Sequence, residues 1–131
     1  PPALSILTVN AFTAADNIII PMNADIFSLQ GIAQLSETVE KVRTYCNPNL
    51  KLAGIVLTKF NKNTILSKDI LGTAQLIADE LHTHLFKSTI RSSVAIMEAQ
   101  TSQQSIYEYA PKNNAVNDYK ALVEEILSLG I

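Results

Sequence analysis

Three short apolar runs end in residues that can touch a ligand: Pro21-Met22-Asn23 after Asn17–Ile20, Thr58-Lys59-Phe60 after Leu50–Leu57, and Ile90-Arg91-Ser92 after Phe86–Thr89. In open α/β sheets, ligands lodge beyond the carboxyl ends of the strands, so polar or cationic residues there are site candidates. The chemistry on offer is binding. Thr58 and Ser92 bring hydroxyls, Lys59 and Arg91 bring cations, and a lysine stem can lie along apolar surface with its ammonium in water. An ordinary solvated strand end carries the same residue types, so the pattern nominates these positions without deciding their role.

Other chemistries find less support. His82 and His84 lie two apart near an expected helix end, which points them to different sides, and Cys46 is the single cysteine, so no zinc set assembles. Cationic groups near a helix C-terminus are favoured by its dipole, which suffices to explain the two histidines. Ser5, Ser92 and Ser93 have no His and Asp partners at meaningful spacing, so no nucleophile is assigned. No residue is assigned a catalytic or metal-binding role.

The elements that must position these strand ends follow from periodicity. A helical rhythm of Leu4, Leu7, Val9, Ala11 and Phe12 predicts a helix over 3–15. Residues 17–21 form a nearly all-apolar run that suits a parallel strand buried on both faces. Ser28 is placed to cap a helix running to about Cys46, with Ile32, Leu35, Val39 and Val42 on one face and Glu37, Glu40, Lys41 and Arg43 opposite. Asn47-Pro48-Asn49 ends it. A second strand over 50–59, a helix over 67–84, a short strand over 86–90, a polar stretch around Glu98 to Gln104 and a last helix over 114–129, ended by Gly130, complete the chain. Strands separated by helices of crossover length imply right-handed βαβ units: an α/β three-layer sandwich with a mainly parallel sheet.

The 131 residues are 47% hydrophobic with a net charge of -2, enough for one hydrophobic core and against a strongly basic nucleic-acid binder. Residues 59–91 hold five basic residues (Lys59, Lys62, Lys68, Lys87, Arg91) against three acidic ones, so any positive patch lies there and on Lys112. The apolar runs are far shorter than the roughly 20 residues that cross a bilayer. One cysteine and no signal segment make a reducing cytoplasm the expected compartment. The chain opens on Pro1-Pro2 and a helix with no strand before it, which suggests a single partial domain over 1–131; the alternative is a small complete domain of three parallel strands.

Read as a string, Pro1-Pro2-Ala3-Leu4-Ser5, Thr8-Val9-Asn10-Ala11 and Ala14-Ala15-Asp16 resemble the segment after the Walker B aspartate of ParA/Soj partition ATPases, which are deviant Walker P-loop NTPases. The likeness continues through Ile20-Pro21, Phe27-Ser28-Leu29-Gln30-Gly31, Gly54-Ile55-Val56-Leu57-Thr58, Glu98-Ala99 and Tyr109-Ala110-Pro111-Lys112, in order and over essentially the whole chain. It implies the C-terminal portion of a P-loop NTPase domain. The Gly-rich phosphate loop and the Walker B aspartate are absent from these residues, and where many relatives read I-P-R-N this chain reads Ile90-Arg91-Ser92-Ser93.

The resemblance implies a parent that binds ATP and Mg²⁺, hydrolyses ATP, dimerises on ATP, holds DNA without sequence preference and segregates chromosome, plasmid or mobile-element DNA. A ParB-like protein would activate it, and it would be cytoplasmic and nucleoid-associated with no membrane partner. Carried onto these residues, it implies base-side nucleotide contacts from Thr58, Lys59, Phe60, Ile90, Arg91 and Ser92. Pro1, Pro2 and Asn10 would take switch and dimer roles, and Lys62, Lys68, Lys87 or Arg91 would take DNA contacts. The 131 residues alone would be inactive and hold no cofactor tightly. The rival expectation is a non-enzymatic α/β interaction module that pairs through its first helix and an exposed sheet edge.

Overall fold

The computed structural model describes residues 5–23 and 27–131. The first helix, α1 (Ile6–Ala14), starts where Ser5 Oγ accepts the Thr8 N–H; Pro1 and Pro2 lie outside the described residues. Val9 and Phe12 pack into the core as their spacing predicts, but Ile6 and Leu7 are 76% and 74% exposed. The helix is apolar around its circumference, so sequence spacing does not select the face it buries.

Strand β1 (Asn17–Asn23) runs two residues past its expected end at Pro21 and pairs in parallel with β2 (Lys51–Thr58). The register runs from Asn17 opposite Lys51 to Asn23 opposite Thr58, skipping Ala53. Between the strands, α2 (Phe27–Tyr45) begins one residue earlier than expected, so Ser28 sits inside its first turn and not at the cap. Its predicted inner face holds: Ile32, Val39 and Val42 are buried and Leu35 packs beside them. On the outer face Lys41 pairs with Glu37 at 3.0 Å and Arg43 with Glu40 at 2.6 Å. The turn that follows is tied back to α1, since Asn47 Nδ2 donates to the carbonyls of Phe12 and Ala15.

Helix α3 (Ser67–Glu80) stops four residues before the expected His84. His82 takes φ 52°, and the N–H groups of His82 and Thr83 return to the carbonyls of Asp79 and Ala78. That is the reciprocal closure of a helix whose first residue beyond the cap is left-handed, a place more often held by glycine.

The expected strand over 86–90 is a rim segment that meets β2 in parallel at two separate points, Leu85 with Ile55 and Ile90 with Thr58. Three steps along β2 are matched by five along the rim, so two extra residues bow outward. The physical reason lies in the last helix, α6 (Asn114–Ser128). The N–H groups of Lys87 and Ser88 donate to Glu125, each at 2.8 Å, and that of Arg91 donates to Asp118 at 3.1 Å. Two carboxylates seven residues apart on one helix thus occupy rim donors that a neighbouring strand would otherwise engage.

Gly54 is what lets the rim come so near. A Cβ there would stand 2.6 Å from the Phe86 ring and 2.7 Å from the His84 carbonyl oxygen. With no Cβ in the way, Ile55 N–H reaches that carbonyl at 2.7 Å and Phe86 N–H reaches the Ile55 carbonyl at 2.8 Å.

After the rim, the polar stretch expected around 98–104 is helical from its start: α4 (Val94–Thr101) and the single turn α5 (Ile106–Tyr109) precede α6. The polar side chains of α4 cover only one face, and buried Ala99 with half-buried Ile96 supply the other. Asn113 caps α6, and Gly130, at φ 75°, follows its end as expected.

The three-layer arrangement is as anticipated. One face of the sheet (Ile18, Ile20, Met22, Ile55, Leu57) packs against α1, α2 and α3, while the other (Ile19, Val56, Phe86, Ile90) packs against α4 and α6 through Ile96, Tyr119, Leu122 and Ile126.

Candidate functional site

Beyond the carboxyl ends of β2 and the rim lies a cleft of about 440 Å³ lined by Phe60, Asn61, Lys62, Asn63, Thr89, Arg91, Ser92 and Asp118. The elements bring these residues together for backbone reasons. Ile90 N–H donates to the Leu57 carbonyl and Phe60 N–H to the Ile90 carbonyl, so the residues after each strand are held side by side at the cleft.

Three of the six expected base-side residues line the cleft, and three stand beside it. Phe60, Arg91 and Ser92 line the cleft. Phe60 and Ile90 are buried in the core, so Phe60 forms a floor and Ile90 supports the wall from behind. Thr58 and Lys59 stand at the strand end, where Thr58 Oγ1 donates to Asn23 Oδ1 at 3.0 Å. Lys59 is exposed and adopts φ 51°, a left-handed conformation uncommon for a side chain of this size. Such strain concentrates where surrounding structure fixes a functional turn.

Asp118 is the residue the sequence did not reveal. It arrives from α6, 27 residues beyond Arg91, and its carboxylate takes the Arg91 guanidinium in a two-pronged grip, Nε to Oδ2 at 2.7 Å and Nη2 to Oδ1 at 3.0 Å. Burial alone would raise the Asp118 pKa; the Arg91 hydrogen bonds and charge, with a weaker attraction from Lys62, outweigh it and hold the group below its ordinary range. The same hydrogen bond raises the pKa of Arg91. The only available signal was the i, i+7 spacing of Asp118 and Glu125, which also fits an ordinary solvated helix face.

The remaining expected positions are scattered. Lys62 shares the cleft, Lys68 is exposed near the start of α3, and Lys87 is exposed on the rim. Asn10 is exposed on α1. His84 Nε2 lies 3.1 Å from Glu125 Oε2 and its ring stands edge-on to Phe86, so its setting comes from α6 and not from a helix end. Elsewhere, Tyr109 donates its hydroxyl to Glu98 at 3.0 Å, which links two of the fragments read as family-like and raises the Tyr109 pKa.

A sequence profile described as an AAA domain matches residues 1–52. The chain is 35% identical over 128 residues to the chromosome-partitioning ATPase Soj of Thermus thermophilus, covering 98% of this chain and 50% of that protein. It is 33% identical to the chromosome partitioning protein ParA of Caulobacter vibrioides, covering 98% and 47%. The expected kinship with ParA/Soj proteins is borne out. The sporulation initiation inhibitor Soj of Bacillus subtilis is similar at 29% identity over 130 residues, covering 99% of this chain and 50% of that one. The chain therefore spans about half the length of the ParA/Soj relatives it matches.

Among solved structures, cobyrinic acid a,c-diamide synthase of Mycobacterium smegmatis is similar with a TM-score of 0.62 at 26% identity, over 79% of this chain and 46% of that one. A second structure of that synthase, with a bound ATP analog and magnesium, matches with a TM-score of 0.53 at 35% identity, over 57% and 30%. The fold class is accordingly the α/β P-loop NTPase class that the ParA/Soj resemblance implied.

Among the described residues, no helix is long and apolar enough to cross a membrane, and no group of three or more His, Cys, Asp or Glu is placed to hold a metal ion. The cleft residues fit the planar end of a nucleotide, with a flat guanidinium, side-chain amides and hydroxyls. They do not fit its metal and phosphate end, for which the sequence has no Gly-rich loop ending in Lys and Ser or Thr.

Proposed function

We propose that this chain supplies the base-side wall of the nucleotide site of a ParA-type ATPase that partitions DNA. The observation that supports the reading most is the position of the cleft: it opens where the strands of a parallel α/β sheet end, in a chain 35% identical to a chromosome-partitioning ATPase. In this account Thr58 and Ser92 hydrogen-bond the base or sugar, Phe60 floors the cleft, Arg91 and Lys59 lie against the heterocycle, and Ile90 fixes the wall.

The phosphates and Mg²⁺ of ATP would be held by residues that these 131 do not include, so the chain alone hydrolyses nothing and binds nucleotide weakly. The whole protein would dimerise on ATP, with Pro1, Pro2 and Asn10 at the switch and dimer face. It would hold DNA non-specifically, with contributions from Lys62, Lys68 and Lys87, answer to a ParB-like activator and work on the nucleoid in the cytoplasm. A net charge of -2 makes any DNA contact a local one.

Titrating adenosine into the ¹⁵N-labelled chain tests the reading. Amide shifts confined to residues 58–63 and 89–92 are expected; an unchanged cleft at saturating nucleoside overturns it. A second reading, an interaction module without enzymatic activity, draws on the exposed Ile6 and Leu7 of α1. Under it the same titration leaves the cleft silent.

A further inference from the structure

We propose that Arg91 is a stacking shelf for the planar heterocycle of a nucleotide, and that Asp118 is the positioning residue that holds the shelf in place. The proposal rests on the reading of the cleft as the base end of a nucleotide site, and it assigns a role to a residue outside the ParA-like string.

Arg91 is fixed from both ends. The preceding residue is tied to β2 through Ile90 N–H and the Leu57 carbonyl at 2.9 Å, and its own N–H donates to Asp118 Oδ2. Its guanidinium then meets both oxygens of the same carboxylate, so one aspartate holds the backbone and the side-chain tip together. Asp118 is itself steady, because it stands within the first two turns of α6, where Ala115 and Val116 are buried and Asn113 Oδ1 caps the Ala115 N–H.

The consequence is a flat cation whose freedom has been removed before any ligand arrives. Arginine normally loses rotamer entropy on binding, and a group ordered in advance does not lose it again. The Asp118 side chain is 14% exposed and that of Arg91 48%, so the partner is covered while the shelf remains open at the cleft. The pairing also directs what the shelf takes. With its charge matched by a carboxylate at 2.7 Å, Arg91 is poorly suited to seize a free phosphate, but a guanidinium plane still stacks on a nucleobase. This argues against a DNA-phosphate role for Arg91, and leaves Lys62 as the cation of the cleft outside that grip.

The test uses 2-aminopurine riboside, a fluorescent nucleoside without phosphates whose emission is quenched by stacking, and inorganic triphosphate in parallel. Arg91→Lys keeps the charge and removes the plane, while Asp118→Asn keeps the size and removes the grip. The expected result is quenching on binding to the unaltered chain, a roughly tenfold loss of nucleoside affinity with less quenching at saturation in both variants, and unchanged response to triphosphate. Circular dichroism of Arg91→Lys guards against a fold that has simply been lost. Equal quenching and affinity in all three proteins overturns the shelf and leaves the cleft reading standing. Absence of nucleoside binding to the unaltered chain overturns both.

Discussion

Glu125 receives the N–H groups of Ser88 and Lys87 and lies within hydrogen-bond reach of His84 Nε2. Burial by itself would raise its pKa, yet those donors lower it from 4.5 to about 2. A carboxylate whose folded pKa is depressed contributes stability above its unfolded pKa, and that contribution is lost as pH falls toward the folded value. Glu125→Gln is therefore expected to lower stability at neutral pH by roughly 1–2 kcal/mol, because a charge-assisted acceptor is replaced by a neutral amide. The gap to the unaltered protein should narrow between about pH 4.5 and pH 2; denaturant titrations across that range check it, and a constant gap would contradict the account. At this scale the sequence was informative where a residue follows a buried strand: Phe60, Arg91 and Ser92, each placed at a strand end by the sequence, stand together at one cleft. It was silent where a partner comes from another element, so neither Asp118 nor Glu125 could be assigned, since an acid on a helix face looks the same whether it meets water or an edge N–H.

The strands and long helices were legible because burial imposes period: β1, β2, α2 and α6 lie within two residues of their expected bounds at nearly every end. Misreadings came where period carries little information. Helix α4 reads in the sequence only as a polar stretch because just two of its residues, Ile96 and Ala99, do its packing. The rim was taken for a continuous strand because its two bowed residues are fixed by α6, which no local pattern records. Gly54 ties the rim to β2, and the substitution Gly54→Ala puts a methyl against a backbone oxygen and a buried ring. A loss of about 1–3 kcal/mol in unfolding free energy is expected, as for other overpacked interiors, together with displacement of the His84 and Phe86 resonances. A variant as stable as the parent would mean that the close approach is dispensable. The change lies away from the cleft walls, so a loss of nucleoside binding in it would report strand position and not a missing contact.

For the molecule as a whole, β2 has a parallel neighbour on either side and helices against both faces, and its Ile55, Val56 and Leu57 are buried. Amide exchange should therefore be slowest in Ile55–Leu57 and fastest in α1, whose outer face meets solvent; comparable protection in the two would show that the layers open together. Electrostatics at this scale predicts that DNA retention by the chain is weak and falls only modestly with salt, since an overall negative charge leaves only a local basic patch to displace a few counterions. Filter binding at two ionic strengths reads this directly, and a salt-independent affinity would exclude phosphate contacts. The acid pair of α6 has a last consequence, which concerns assembly. By capping the rim, Asp118 and Glu125 close one side of the sheet to strand addition, while among the described residues the outer side of β1 has no strand partner. A strand that approached the rim would therefore meet carboxylates in place of free N–H groups, and association edge to edge is not expected on that side.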